Sequence, residues 1–529
     1  MLKNFNFIQQ KFIFCRSYVS CSNPFKANII KGPIHPLAPP INQIQSQSKD
    51  NTSSLNPHPT ISSSFDPSSS ILADHQSSIK IDHINHLNQQ INLTHNLDLS
   101  LTISSNSLKI FNLNLPYLWL RDSCQSENSV DPLTKQKLFK SSDIPLRIHP
   151  IKTCLSKNPK TQQIELTIHW SHNLPQRSSN SSLTLRQPQT STFELSFLEN
   201  AVNPKQWERY RHKSQTLQQN LWFEPNTTSQ TNLIEYSKTE NDLFIDYHQF
   251  LSDKILQQKA LMKLNRYGLI FFDKLGTDEF ELKKLIQTLG VETRRTFYGD
   301  FWDVKSEGKD AKNIANTSME LDLHMDLVHF QNPPRFQLLH CLKNQVLGGA
   351  SAFVDTYSVL SFLLLDSPEL FCTLASELVP FEYINNQHHT YFCHPTVQLR
   401  SGVTPQSITK SPNRLLESIV AVNYSPPFQG PLIPGGRLSD LIKGLEAFDK
   451  LCKRPEMRFE HQLKEGQCVA FDNRRILHAR TAFKALENST LNDGGSSGIR
   501  RWLKGAYVEG DSVWDRLRVL YATQVFSNK

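Results

Sequence analysis

The sequence predicts a mostly β protein with flanking helices, in which a double-stranded β-helix (jelly-roll) domain follows a small β-rich N-terminal domain. Three observations predict it. From Leu108 the chain runs in short segments that alternate apolar and polar residues (LKIFNLNLPYLWLRDSC, IPLRIHPI, IELTIHW, STFELSFL), the period of half-buried strands. Further on, buried-strand runs such as RYGLIFFDKL and FQLLHCL are interleaved with helical patterns such as ELKKLIQTLG. Finally, the dyad His324-Met325-Asp326 is matched far downstream by His478 in a second apolar run, a set that a barrel mouth can gather around one ion.

Taken in order, the chain opens with MLKNFNFIQQKFIFCRSYVS, where Lys3, Lys11 and Arg16 sit among Phe and Ile and no acidic residue precedes Asp50. Amphipathic, basic and acid-free is the composition of a mitochondrial transit peptide, taken as residues 1–21 and directing the protein to the matrix. Residues 22–100 are rich in Ser, Asn, Gln, Pro and His and bury too little apolar area to offset chain entropy, so they read as a disordered low-complexity spacer. Residues 101–228 form the small β-rich domain, closing near Trp222 and Glu224-Pro225-Asn226. Residues 229–529 carry the chemistry: Tyr247 to Leu264 is helical in pattern, RYGLIFFDKL is a buried strand, and Gly290 closes the helix after it. The Gly- and Ser-rich insertion between His478 and Arg501 reads as a flexible surface loop.

Composition bounds the function. A length of 529 residues allows two or three domains with a sizeable core. The 57 basic and 49 acidic residues leave a net charge of +8 that is not gathered into a patch, so no nucleic-acid partner is implied. Nine cysteines without a C-x-x-C pair argue for a reducing compartment rather than a disulfide framework. No apolar run approaches the ~20 residues of a spanning helix, so no membrane span is expected.

In an extended strand His324 and Asp326 share one face, so both can bind one ion. With His478 they make two imidazoles and one carboxylate that leave coordination positions open, the facial triad of non-heme Fe(II) oxygenases. Arg501 opens the strand after the distal histidine. Its permanently charged fork suits the carboxylate of a dicarboxylate co-substrate such as 2-oxoglutarate.

The segments HMDL, PPRFQLLHCL, GGASAFVD, FDNRRILHAR and RWLKGAYVEGDSVWDRLRVL together resemble the gamma-butyrobetaine and trimethyllysine dioxygenases, within the taurine dioxygenase-like Fe(II)/2-oxoglutarate oxygenases, in a fungal-type form. The likeness runs from roughly Ile110 to Val525. It implies His324, Asp326 and His478 as iron ligands, Arg501 as the 2-oxoglutarate clamp, and Asn313 and Leu339 beside that co-substrate. It further implies a cage for a trimethylammonium group from Tyr298, Trp302 and Tyr507, with Asn316 in the place of a fourth aromatic wall and Leu327 where the animal enzyme has Tyr. The implied partners are a small-molecule substrate, 2-oxoglutarate and dioxygen, with ascorbate supportive; a homodimer follows by analogy alone. The family's W-L-R-D segment precedes a C-x-C-x-x-C cluster that holds a structural zinc with a later His. Here Cys124 stands alone, Ser126, Ser129 and Gln189 take the other places, and no structural zinc is expected. The function so implied is hydroxylation of gamma-butyrobetaine or a related trimethylammonium or carboxylate compound, as in carnitine biosynthesis. Trimethyllysine, another small carboxylate, or a catalytically inactive relative kept for binding or assembly are the alternatives.

Overall fold

Alternation in the first third of the chain becomes antiparallel sheet. In the computed structural model, β1 (Ile81–His86), β2 (Gln89–Asn96), β3 (Ser100–Ser105) and β4 (Ile110–Pro116) pair in chain order. A second sheet joins β5 (Pro150–Lys157), β6 (Ile164–Trp170) and β7 (Thr190–Glu194). The structure describes residues 81–86, 89–105, 110–174, 189–201, 219–225, 243–306, 314–385, 387–485 and 500–527, all within one compact unit, Ser77–Lys529. The expected transit peptide, most of the spacer, residues 486–499 of the insertion and Asn313 lie outside the described residues.

Four expectations are corrected in this region. Pairing begins at Ile81, inside the stretch expected as spacer, because Ile91, Leu93, Leu101 and Ile103 alternate along β2 and β3 and are fully buried; polar composition had masked that period. IPLRIHPI is not a strand. Pro145 and Pro150 remove ladder donors, so Ile144 and Ile148 are buried from turns, and the strand starts at Pro150. YLWLRD is a helix, Tyr117–Asp122, entered at Pro116. The half-chain boundary near Trp222 also moves: that indole packs between the sheets of the following domain, and its backbone N–H donates to Asp355 at 3.0 Å. Arg475, fully buried, pairs with Asp355 (2.8 Å) and donates to the carbonyls of Asn220 and Arg266, strapping residues 219–225 to that domain.

The positions expected to replace a metal cluster do meet. Cys124 Sγ lies 3.0 Å from Ser126 Oγ, which donates to the Thr190 carbonyl at 3.3 Å. The buried Arg121 guanidinium donates to Ser129 Oγ (3.1 Å) and Gln189 Oε1 and lies 4.6 Å from the Phe139 ring centroid. Gln189 in turn exchanges two 3.1 Å hydrogen bonds with the backbone of Leu174.

The catalytic-type domain is a jelly roll of two sheets. Its strands are β8 (Phe244–Asp246), β9 (Leu269–Asp273), β10 (Trp302–Lys305), β11 (Leu321–His324), β12 (Phe336–Asn344), β13 (Val346–Gly348), β14 (Ser351–Asp355), the hairpin β15 (Leu378–Asn385) and β16 (His388–Pro395), β17 (Val397–Leu399), β18 (Ile419–Val422), β19 (Arg458–His461), β20 (Cys468–Asp472), β21 (Ile476–Arg480), β22 (Phe483–Ala485) and β23 (Arg501–Val508). The larger sheet runs β10-β23-β12-β20-β9-β8 and the smaller β11-β21-β14-β19. Leu269, Phe271, Leu339, Phe353, Phe471 and Leu503 fill the space between them. The outer face of the larger sheet packs on helices Lys254–Tyr267, Glu281–Leu289 and Gly510–Ser527; that of the smaller packs on Thr356–Asp366, Pro368–Ser376 and Leu438–Cys452. Burial on both faces explains why these strands read as unbroken apolar runs. The expected helix Tyr247 to Leu264 is two helices, split where the Asp253 side chain caps the N–H groups of Ile255 and Leu256.

Candidate active site

The site forms where the smaller sheet faces the inter-sheet space. β11 and β21 are antiparallel with His324 directly opposite His478, and the two rings lie 4.1 Å apart. Leu477 and Ala479 belong to the outer core, so His478 and Arg480 share the inner face. A slip of one residue would turn both histidines away.

Asp326 reaches the same point differently from the strand alternation expected of it. β11 ends at His324, and Asp326 stands in the turn that follows, next to Leu327 with φ +56. The buried Asn473 fixes that turn: its Oδ1 accepts the Asp326 N–H at 2.8 Å, and its Nδ2 donates to the Asp326 and Pro334 carbonyls at 3.1 Å. Sequence reasoning missed Asn473, although its place in FDNRRILHAR, at the turn between β20 and β21, was a usable signal.

The ligand-capable atoms of His324, Asp326 and His478 all lie within 4.8 Å of one another, the one such group of three among the described residues. Asp326 Oδ1 is 3.5 Å from His324 Nε2 and 3.8 Å from His478 Nε2. His324 Nδ1 donates to the Asp322 carbonyl at 2.8 Å, which leaves Nε2 with its lone pair facing inward. The Tyr507 hydroxyl donates to Asp326 Oδ2 at 2.8 Å, so the other carboxylate oxygen faces the imidazoles. Burial works to raise the Asp326 carboxyl, but His324, His478 and Tyr507 outweigh it and hold it well below the usual range. Burial, aided by His324, pushes His478 down to about 3.

Arg501 opens β23 and is only 4 % exposed. Its Nε has no hydrogen-bond partner, and no carboxylate pairs with the guanidinium among the described residues; the thiol of Cys341 lies within electrostatic reach. Burial lowers its pKa. Gly349 lies beside it, where a Cβ would be in ordinary contact at 3.5 Å from Arg501 Nε, and its φ of +74 is what calls for glycine. Leu339 lies in the inter-sheet core opposite Gly505 on β23. Trp302 lies across Gly505, where a Cβ would come within 2.4 Å of the indole, and its ring is 5.1 Å from that of Tyr507. The Trp302 Nε1–H is buried without an acceptor among the described residues. Tyr298 is half-buried, its ring tilted against that of Phe297 at 4.3 Å, and within electrostatic reach of Tyr507. Asn316 ends a 3-10 turn, Ile314–Asn316, and is half-buried.

Comparison with known proteins places this geometry. The family described as taurine catabolism dioxygenase TauD, TfdA family matches residues 236–507, a span that contains all four of His324, Asp326, His478 and Arg501. The chain is 33% identical over 411 residues to "Dioxygenase str8" of Strobilurus tenacellus, covering 77% of this chain and 85% of that protein. It is 29% identical over 283 residues to the gamma-butyrobetaine dioxygenase of Homo sapiens, covering 52% and 66%. It is 24% identical over 408 residues to "Trimethyllysine dioxygenase, mitochondrial" of Mus musculus, covering 77% and 83%.

Proposed function

The chain belongs to the TauD/TfdA dioxygenase family, and from that premise we propose that it hydroxylates a small molecule at a site built from His324, Asp326, His478 and Arg501. Membership makes it an Fe(II)- and 2-oxoglutarate-dependent dioxygenase. The observation that carries the site is the convergence of three ligand atoms within 4.8 Å, in a domain that also holds a buried guanidinium answered by no carboxylate among the described residues.

Two imidazole nitrogens and one carboxylate oxygen suit ferrous iron and leave positions for the 2-oxo acid and dioxygen. Iron bound there supplies the chemistry that splits 2-oxoglutarate to succinate and carbon dioxide and places one oxygen atom into a substrate C–H bond. The chain's own residues do the rest. The Asp322 carbonyl fixes the His324 tautomer, and Tyr507 fixes the Asp326 rotamer. Arg501 seats the distal carboxylate of the co-substrate through a two-point, charge-assisted contact. Its dry surroundings strengthen that contact.

For the substrate, gamma-butyrobetaine or a related trimethylammonium compound is supported by the aromatic corner of Trp302 and Tyr507, with Tyr298 nearby. Asn316 in place of a fourth wall weakens that grip by about 0.5 to 2 kcal/mol. A second reading, an uncharged or carboxylate substrate, is favoured by the Trp302 Nε1–H. A trimethylammonium head seated against Trp302 and Tyr507 offers that donor nothing, whereas a substrate oxygen at the same corner satisfies it. Incubation with Fe(II), 2-oxoglutarate and ascorbate against butyrobetaine, trimethyllysine and related acids, read by mass spectrometry, separates the two. Hydroxylated butyrobetaine establishes the first, and a hydroxylated acid without an ammonium group establishes the second. No iron uptake and no succinate release would leave a binding protein.

The basic, acid-free leader and a relative named as mitochondrial support a matrix location. Import into isolated mitochondria with loss of the leader tests it. A homodimer, by family analogy, is tested by light scattering.

A further inference from the structure

Arg480 lies two residues beyond His478 on the same inward face of β21 and is only 6 % exposed. It has no acidic partner among the described residues. Its guanidinium donates instead from Nη1 to the Ala315 carbonyl (2.6 Å) and from Nη2 to those of Thr317 (2.8 Å) and Met319 (2.6 Å). The Phe483 N–H adds a fourth tie, to the Ser318 carbonyl at 3.1 Å. Four of the five carbonyls from Ala315 to Met319, the segment that carries Asn316 and leads into β11, are therefore held from one elbow of chain between β21 and β22.

The same elbow touches the co-substrate clamp. The Phe483 ring centroid is 5.0 Å from Arg480 Cζ and 5.6 Å from Arg501 Cζ, so one buried ring contacts both cations. Burial lowers Arg480 to about 10, and the charge of Arg501 pushes in the same direction. Two like charges in a dry interior with no anion between them among the described residues repel, and the charge of Arg501 weakens the hold of Arg480 on its acceptors.

We propose that Arg480 is a positioning residue that couples the two halves of the site: an anion seated on Arg501 cancels the repulsion across Phe483 and tightens the Arg480 grip on Ala315–Met319. The inference rests on Arg501 being the 2-oxoglutarate clamp. Because such coupling is reciprocal, a substrate held by this segment binds more tightly once the 2-oxo acid is in place.

The test is amide hydrogen exchange of the full chain loaded with Zn(II), which prevents turnover, with and without 2-oxoglutarate, beside a calorimetric titration of the same samples. In the wild type, peptides covering residues 314–320 should exchange about 5-fold or more slowly when 2-oxoglutarate is bound. Arg480→Gln should still bind 2-oxoglutarate but lose the slowing. If Arg480→Gln does not fold, Arg480→Lys, which keeps the charge but cannot span three carbonyls, should lose most of it. Binding without slower exchange in the wild type, or equal slowing in the folded variant, overturns the coupling while leaving the clamp intact. No binding to the wild type overturns both.

Discussion

Two buried arginines divide this molecule. Arg121, in the N-terminal β region, meets Ser129, Gln189 and the face of Phe139, and around it the Cys124 and Ser126 side chains bond to each other and to the Thr190 carbonyl. Arg501, in the jelly roll, is also buried, and its guanidinium has an unpartnered Nε and no carboxylate among the described residues. A cation withdrawn from water costs free energy unless something answers it. Where the fold supplies neutral acceptors the group is structural; where the fold leaves the charge open, a ligand is the partner proposed above. One molecule thus carries a polar cluster closed on itself and another left open.

The sharpest way to break this contrast is at the open cluster. His324→Ala should abolish stoichiometric iron binding, measured on metal-reconstituted protein, with the melting temperature nearly unchanged; a variant that still takes up iron would remove this histidine from the site. Next, Arg501→Met should weaken 2-oxoglutarate by about 10- to 100-fold, the loss of a charge-assisted pair, while the fold holds or gains stability as an unanswered cation disappears. Its counterpart Arg121→Met should do the reverse. Removing the buried donor to Ser129 and Gln189 costs about 1 to 3 kcal/mol of stability, read in urea, with 2-oxoglutarate affinity unaltered. Exchanged outcomes for these two would end the comparison. Tyr507→Phe keeps the ring and removes the donor to Asp326 Oδ2; iron affinity should fall about 10-fold, and an unchanged affinity would reduce Tyr507 to a pocket wall.

The smallest effect is on acid stability. His394 is buried, donates Nε2–H to the Phe330 carbonyl at 2.8 Å, and is pushed by burial from 6.5 to about 4. The unfolded chain binds this proton first, so the contribution of the neutral ring is full above pH 6.5 and is lost as the pH falls toward 4. His394→Gln should flatten that part of the urea-midpoint profile.

Much of this was legible in the residues themselves. RYGLIFFDKL, FQLLHCL and GGASAFVD became β9, β12 and β14 because strands buried on both faces must be apolar throughout. Tyr117–Asp122 went unread because a short amphipathic helix after a proline looks like the strand before it. The triad histidines were findable as residue types at strand positions. Arg480 was not, since it acts on backbone carbonyls that no local pattern exposes, and Asn473 offered only its place at a turn. Tyr507 was read as an aromatic wall. Its hydroxyl has a second task that exists only because β23 passes near the turn after β11.

What the sequence determined by itself was the inventory: which side chains can bind a metal, which strands are buried, and which cation waits for a carboxylate. Those are properties of residue type and short-range period. Tertiary structure alone decided which polar groups are answered and which are left open. That depends on register between strands more than a hundred residues apart, as with His324 opposite His478, and on burial, which makes an unanswered charge such as Arg501 costly enough to mark a site.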